Sequence, residues 1–552
     1  MADFSNKVIY QIYPKSFKDS NGDGIGDIPG VIEKLDYLQD LGVDYLWLTP
    51  FFVSPQRDNG YDVADYRNID PMFGTMEDLD NLIAEGEKRN IGLMFDMVFN
   101  HTSTSHEWFR RALAGEKKYQ DYYIFKEGAP DQPPTNWQSK FGGSAWEYVS
   151  SLGKWYLHLF DVTQADLNWK NPEVREELKE VIRFWKAKGV KGFRFDVVNL
   201  ISKPEIWEDD FEGDGRKFYT DGPYVHEYLK ELVRDTGIED YVTVGEMSST
   251  TLEHCIRYSG AEEKELSMCF NFHHLKVDYR GGDKWKWELM EPDYMELKVI
   301  FEKWQMGMQR GNAWNALFWC NHDQPRIVSR FGNEGEYWKE SAKMLAGMIH
   351  LMRGTPYIYQ GEEIGMTNPH YTSIEQYADV ESRNYYEILL NEGKTKEEAL
   401  EILAARSRDN SRTPMQWTDE RYCGFSDTKP WIPVSDNFEK INVKKQKQDR
   451  DSILEFYKKL IMLRKEKEVI ARGNIEFMEV ENAGVLAYTR CLDKQKLLVC
   501  CNFRDVESQM EFTQEWKSGR KILGNYEENH KNNYKVLTLR PYEIIVLEKG
   551  EE

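Results

Sequence analysis

Gly192-Phe-Arg-Phe-Asp-Val-Val198 is a short apolar run that carries one arginine and, at its far end, a carboxylate. A run of this length bounded by turn signals reads as a buried parallel strand. An acid at the C-terminal end of such a strand lies where barrel enzymes keep their active sites. Two further segments end in the same way. Val242-Thr-Val-Gly-Glu-Met247 carries Glu246, and Phe318-Trp-Cys-Asn-His-Asp-Gln324 carries Asp323. Carboxylates from separate strands meeting at one mouth are what glycosidic bond cleavage needs.

Outward from these segments the same pattern repeats. Strands are expected at Val8–Ile12, Tyr45–Thr49, Gly92–Val98, Gly192–Val197, Tyr241–Val244, Met268–Phe272, Ala316–Cys320 and Thr355–Gln360. Helices fall between them, among them a single one with Val31, Ile32, Leu35, Leu38 and Leu41 on its buried face, one near Thr75–Arg89 and one over Val174–Lys186. This alternation predicts an α/β protein built on a (β/α)₈ TIM barrel. A doubly wound open sheet shares the alternation, but the strand count favours closure. Residues 1–100 and 170–474 are assigned to the catalytic barrel. The connection after strand 3 is too long for a helix alone, and 101–169, rich in Trp, Tyr, Gly and Pro, reads as a small inserted domain. Asn368–Trp417 is helical and charged. After the helix Ser452–Glu468, residues 475–552 read as a C-terminal antiparallel β-sandwich with strands at Ile475–Met478, Val485–Thr489, Lys496–Phe503, Tyr534–Leu539 and Glu543–Leu547.

Composition excludes several classes. The formal charge of −22 over 552 residues repels nucleic acid and anionic membranes. No apolar run is long enough to span a bilayer, and the first residues show no basic-then-apolar leader, so a cytoplasmic monomer is expected. Seven scattered cysteines, several inside strand-like runs, read as reduced thiols rather than a disulfide or zinc framework.

The neighbours of the acids suggest their roles. Arg194 and Asp196 lie two apart on one strand and share a face, so the guanidinium should keep Asp196 ionised as a nucleophile. Glu246 has no basic neighbour in sequence, which suits a protonated acid/base, and its extra methylene extends its reach. Asp323, beside His322, would hold sugar hydroxyls. A separation of about 5–5.5 Å between the carboxyls of Asp196 and Glu246 is expected for retention. A buried structural ion pair explains one Arg–Asp strand equally well, but three acid-bearing strand ends favour chemistry.

Asp96-Met-Val-Phe-Asn-His101, Gly192-Phe-Arg-Phe-Asp196, Glu246 and Asn321-His-Asp323 together resemble the four signature regions of the α-amylase superfamily, in its α-glucosidase branch. The resemblance runs along nearly the whole chain. It implies Asp196 as nucleophile, Glu246 as acid/base and Asp323 as transition-state stabiliser. It also implies that Asp58 and Tyr61 (in Asp58-Asn-Gly-Tyr-Asp62), His101, Phe160, Arg194, His322 and Arg412 (in Asn410-Ser-Arg-Thr-Pro-Met-Gln-Trp417) line the pocket for a non-reducing glucose. Gly213-Asp-Gly-Arg-Lys-Phe-Tyr-Thr-Asp-Gly222 and Asn271-Phe-His-His-Leu-Lys-Val-Asp278 are similar to members that hydrolyse a phosphorylated disaccharide. Val197 is also seen in α-1,6-cleaving members, and Phe195 stands where relatives are often aliphatic. A catalytically silent scaffold of the same fold is a further alternative, disfavoured by the presence of all three acids.

A phosphorylated substrate needs local cations against the acidic field. Arg216 and Lys217 beyond strand 4, and Lys276, Arg280, Lys284 and Lys286 beyond strand 6, are the candidate phosphate ligands, each otherwise an ordinary solvated loop charge. Asp19-Ser-Asn-Gly-Asp-Gly-Ile-Gly-Asp27 places oxygens at alternate positions. The side chains of Asp19, Asn21, Asp23 and Asp27 and the carbonyl of Ile25 would suit Ca²⁺, an assignment the resemblance supports. A loop of Asx turns without an ion has the same sequence. No organic cofactor is expected.

Overall fold

Parallel pairing joins eight short strands: β1 (Ile9–Ile12), β2 (Tyr45–Leu48), β3 (Gly92–Met97), β4 (Gly192–Phe195), β5 (Val242–Glu246), β6 (Met268–Phe270), β7 (Ala316–Leu317) and β8 (Thr355–Tyr359). The computed structural model describes residues 4–281, 285–511, 513–527 and 535–549. The hydrogen-bonded order is β6-β5-β4-β3-β2-β1-β8-β7. A parallel bridge from Cys269 to Asn315 joins β6 to the entry of β7 and closes the ring. The strands are almost wholly buried because helices cover their outer faces, which is why they read as continuous apolar runs. Gly245 shows how tight the wall is. A Cβ there would stand 2.5 Å from Met247 and 2.6 Å from Leu266.

The helix Met76–Lys88 is fixed by a capping box in which Thr75 accepts from the Asp78 N–H and Asp78 accepts from the Thr75 N–H. The helix expected around Val31–Leu41 is instead two, Ile28–Glu33 and Leu35–Leu41. Lys34 between them leaves helical geometry (φ −104°, ψ 2°). The apolar spacing survives the break, so periodicity alone could not show it.

Between β3 and the helix Pro172–Lys188 the chain forms a separate layer. His101–Ser103 pairs with Gln164–Asp166, and Lys154–Leu157 pairs with both Phe125–Glu127 and Trp146–Val149, all antiparallel. The core of this layer contains Trp137, Trp146, Trp155 and Leu157, and it also takes in Val197, Leu200 and Tyr219 from the segment beyond β4. A buried indole contributes roughly 4–6 kcal/mol of apolar burial. The layer is therefore packed onto the mouth rather than tethered above it.

The C-terminal region comprises β9 (Asn474–Met478), β10 (Val485–Leu492), β11 (Gln495–Asn502), β12 (Ser508–Glu511), β13 (Arg520–Gly524), β14 (Val536–Leu539) and β15 (Ile544–Lys549). One antiparallel sheet has the order β9-β10-β11-β15-β13, and β12 pairs with β14 in a second. Ala487, Cys500 and Ile545 of the first pack with Met510, Leu537 and Leu539 of the second. The strand expected over Tyr534–Leu539 runs Val536–Leu539, and Tyr534 lies outside the described residues. β12 and β13 were not legible from sequence, since both are short and largely polar. This region is joined to the barrel by polar bonds as well as packing. The Tyr488 hydroxyl donates to the Met348 carbonyl at 2.7 Å, and the Lys298 ammonium donates to the Val485 carbonyl at 2.7 Å.

Candidate active site

Arg194 is the centre of the mouth. It lies opposite Asp96 in the β3–β4 register and opposite Val244 in the β4–β5 register. Its guanidinium therefore faces carboxylates from three neighbouring strand ends. Nη1 donates at 2.6 Å to Asp96 Oδ1 and at 2.6 Å to Asp196 Oδ1. Nη2 lies against Glu246 Oε2. The Trp47 indole N–H and the Tyr61 hydroxyl donate to Asp96 Oδ2 at 3.1 and 2.9 Å. The guanidinium sits 5.0 Å from the Trp47 ring centre and 5.7 Å from that of Tyr61. Arg194 thus bridges the two proposed catalytic carboxylates.

This geometry corrects one expectation. Glu246 does have a cationic partner, and it is Arg194. The residue lies two beyond Val244 on β5, so it returns to the same face as the arginine on the adjacent strand. The absence of a cation therefore cannot be the reason for its expected role as the acid. The local charge count supplies another reason. One guanidinium serves three carboxylates, so the cluster gains by holding a proton. Asp96 carries part of that effect. Burial pushes its carboxyl up to about 7, with Arg194 opposing and Asp196 adding.

Asp196 follows β4 directly, and Val197 after it has φ 34° and ψ 40°. A β-branched residue in the left-handed region is strained by about 1–3 kcal/mol. Packing of Val197 into the core of the inserted layer holds it there.

The second half of the mouth surrounds Asp323. Arg412 Nη2 donates to its Oδ1 at 2.8 Å, and Arg408 Nη1 reaches the same oxygen at 3.4 Å. His322 Nε2 lies 3.1 Å from Oδ2. The Gln11 amide donates to His322 Nδ1 at 2.8 Å, which leaves the ring proton on Nε2, facing the carboxylate. Burial holds His322 below its ordinary pKa, with Asp323 opposing. Burial alone would raise the Asp323 carboxyl, but His322, Arg408 and Arg412 together keep it well below the usual range.

Arg408 also binds Asp58 Oδ1 at 3.0 Å and Asp379 Oδ1 at 2.5 Å, and it sits 4.8 Å from the Phe141 ring centre. Asp58 Oδ2 accepts from Gln164 at 3.0 Å. Burial pushes the Asp58 carboxyl up to about 7 against the pull of Arg408 and Arg412. His101 Nε2 is 3.1 Å from the Tyr61 carbonyl, and its ring lies 5.2 Å from Phe160. The Tyr61 ring stacks on His322 at 5.0 Å with planes 3° apart. Tyr61 thus touches both halves of the mouth. All the expected sugar-contact residues fall in this one region.

Four participants were missed by the sequence reading: Asp96, Gln164, Asp379 and Arg408. Asp96 heads a strand-end motif, and Arg408 stands four residues before Arg412, the spacing of helical neighbours. Gln164 and Asp379 had no signal, because they come from the insertion and from the long segment after β8.

Four of the six expected phosphate ligands are paired with carboxylates, Arg280 with Glu288 among them. Arg216 Nη2 is 2.6 Å from Asp214, Lys217 is 2.7 Å from Asp210, and Lys286 is 2.7 Å from Glu381. Lys284 lies outside the described residues. In the glycine-rich loop, Asp19 Oδ1 accepts from the Asn21 and Gly22 N–H groups, Asn21 from Asp23, and Asp23 from Ile25. Asp27 caps the following helix through Gly30. Among the described residues no group of three or more His, Cys, Asp and Glu is disposed to hold a metal.

The barrel mouth and its carboxylates define a glycoside hydrolase. The α-amylase catalytic domain family matches residues 11–473, and the maltogenic amylase C-terminal domain family matches residues 475–546. The chain belongs to the α-amylase family. It is 54% identical over 550 residues, 98% of each chain, to trehalose-6-phosphate hydrolase of Escherichia coli (strain K12). It is 46% identical over 553 residues, again 98% of each chain, to oligo-1,6-glucosidase of Bacillus cereus. The crystal structure of Bacillus licheniformis trehalose-6-phosphate hydrolase superposes with a TM-score of 0.94 at 51% identity, covering 99% of this chain and 100% of that one.

Proposed function

We propose that the chain hydrolyses trehalose 6-phosphate to glucose and glucose 6-phosphate with retention of configuration. The observation that carries this reading is the higher full-length identity to trehalose-6-phosphate hydrolases than to oligo-1,6-glucosidase, on a mouth with all three acids in place. Asp58, His101, Arg408 and Arg412 close one side of the mouth and suit the hydroxyls of a terminal glucose. Glu246 protonates the glycosidic oxygen while Asp196 attacks the anomeric carbon, forming a glucosyl ester and releasing glucose 6-phosphate. Glu246 then takes a proton from water as that water cleaves the ester, releasing glucose and restoring both groups. Asp323, kept anionic, pairs with the ring hydroxyls and favours the distorted sugar.

Hydrolysis of short isomalto-oligosaccharides is the second reading, favoured by the 46% identity to oligo-1,6-glucosidase and by Val197 beside the nucleophile. Parallel assays on trehalose 6-phosphate, trehalose and isomaltose separate the two. The first reading expects trehalose 6-phosphate to have the highest kcat/KM. A preference for isomaltose would replace it.

Two further assignments belong to this proposal. The alternating oxygens of Asp19, Asn21, Asp23 and Asp27 and the Ile25 carbonyl are of the type that takes Ca²⁺, and each of the four side chains also accepts a backbone N–H within the loop, Asp27 as a helix cap. Chelation should lower Tm by several degrees, and an unchanged Tm leaves the loop without an ion. A monomer in the cytoplasm fits seven free cysteines, six of them buried. Among the described residues, no helix is long and apolar enough to cross a membrane.

A further inference from the structure

Lys140 lies in the inserted layer between two residues tied to the sugar pocket. The Ser139 hydroxyl donates to the Phe160 carbonyl at 2.7 Å, and the Phe141 ring lies under Arg408. The Lys140 backbone N–H donates to the Leu159 carbonyl at 2.9 Å. The segment is therefore fixed against the wall of the mouth.

The Lys140 side chain reaches across to the end of β5. Its ammonium lies 3.2 Å from the Ser248 hydroxyl. Ser248 stands two residues past Glu246, so at most about 7 Å of extended backbone separates them. The Asn199 amide clamps Ser248 from both sides, donating to its carbonyl at 2.8 Å and accepting from its N–H at 2.9 Å. Arg216, Lys217 and Lys286 each have a carboxylate within 2.7 Å, whereas the Lys140 ammonium meets a neutral hydroxyl and, 5.8 Å away, the centre of the Tyr219 ring. Burial and the nearby Arg216 and Lys276 push this ammonium down to about 8, with Asp214 opposing them without pairing to it. A half-buried cation without a bound anion gains from one.

Position completes the argument. The acid must touch the glycosidic oxygen, so the leaving sugar lies on the Glu246 side of the scissile bond. Asp58, His101 and Arg408, joined directly or through Gln164, line the side assigned to the other ring. We propose that Lys140, with Ser248 beside it, binds the phosphate of the leaving glucose 6-phosphate, and that this pair sets the preference for a phosphorylated substrate. The inference rests on the trehalose 6-phosphate reading and names the residues that read the phosphate.

The test compares wild type, Lys140→Met, Lys140→Arg and Ser248→Ala on trehalose 6-phosphate, trehalose and p-nitrophenyl α-glucoside, with inhibition by glucose 6-phosphate and by glucose. Lys140→Met should lower kcat/KM for trehalose 6-phosphate by about 10–100-fold, the worth of one charged hydrogen bond. Its loss on the aryl glucoside should be at least tenfold smaller by that same reckoning, and this activity also reports that the variant folds. Inhibition by glucose 6-phosphate should weaken in parallel, with inhibition by glucose little moved. Lys140→Arg should recover part of the loss, and Ser248→Ala should show a smaller effect of the same kind. Equal losses on phosphorylated and neutral substrates, or no loss on trehalose 6-phosphate, would overturn the assignment. A wild type that already prefers trehalose 6-phosphate separates that result from failure of the functional reading. A wild type without that preference removes both.

Discussion

Two arginine-centred clusters share one mouth but carry different charge balances. Around Arg194, one guanidinium meets the three carboxylates Asp96, Asp196 and Glu246. Around Asp323, the guanidiniums of Arg408 and Arg412 meet four carboxylates, Asp58, Asp323, Asp379 and Glu381, and the Lys286 ammonium pairs with Glu381, so three cations serve four acids. The first cluster has the larger negative excess, so it favours holding a proton and stabilises positive charge developing at an anomeric carbon. The second is closer to neutral and keeps Asp323 ionised. One fold can thus run acid chemistry and fixed-charge binding side by side, because the ratio of arginine to acid differs between the two halves.

The sharpest break of this contrast is in the first cluster. Asp196→Asn removes the proposed nucleophile while preserving shape, and kcat/KM should fall by on the order of 10⁴-fold or more. Circular dichroism would check that the fold survives. In the second cluster, Arg412→Ala leaves Asp323 with the longer contact to Arg408 and the contact to His322. The expected cost is about 2–4 kcal/mol of transition-state stabilisation, or about 10²–10³-fold in kcat/KM. A loss as large as that of Asp196→Asn would erase the distinction between a reacting group and a holding one.

A smaller effect concerns pH. Asp58 is raised to about 7 by burial, with its arginine neighbours opposing. A carboxyl raised in the folded state binds more protons there than in the unfolded chain. Its contribution to stability is therefore complete below about pH 4 and is lost as pH rises towards 7. Asp323 and Asp379, both lowered despite burial by their neighbours, act in the opposite sense: their contribution is complete above about pH 4 and is lost as pH falls below it. Asp58→Asn should flatten the decline of Tm between about pH 4 and 7 and remove an ionisation near neutrality from the kcat/KM profile. An unaltered Tm profile would show that Asp58 titrates normally.

The two clusters also differ in how much of them the sequence discloses. The strand cores were legible because parallel barrel strands are buried on both faces and appear as unbroken apolar runs. Asp196, Glu246 and Asp323 were legible because each follows such a run. The contact from Arg194 to Glu246 was not, since it depends on the register between β4 and β5, which no local pattern encodes. The Asp323 cluster draws Arg408 and Asp379 from the irregular chain after β8, where no strand end marks a functional position. Lys140 was hidden for the same reason, inside an insertion whose turn-rich composition gives no periodicity. Local spacing discloses which acids face the mouth, and only the fold discloses which cations they meet.

The anomeric form of the first glucose released tests the central claim most directly. Proton NMR during early turnover of trehalose 6-phosphate distinguishes the two anomers before they equilibrate. A pair of carboxylates joined by one guanidinium, with Asp196 as nucleophile, predicts α-glucose as the initial product. Initial appearance of β-glucose would mean that water attacks the sugar directly, and the assignment of Asp196 as nucleophile would be wrong.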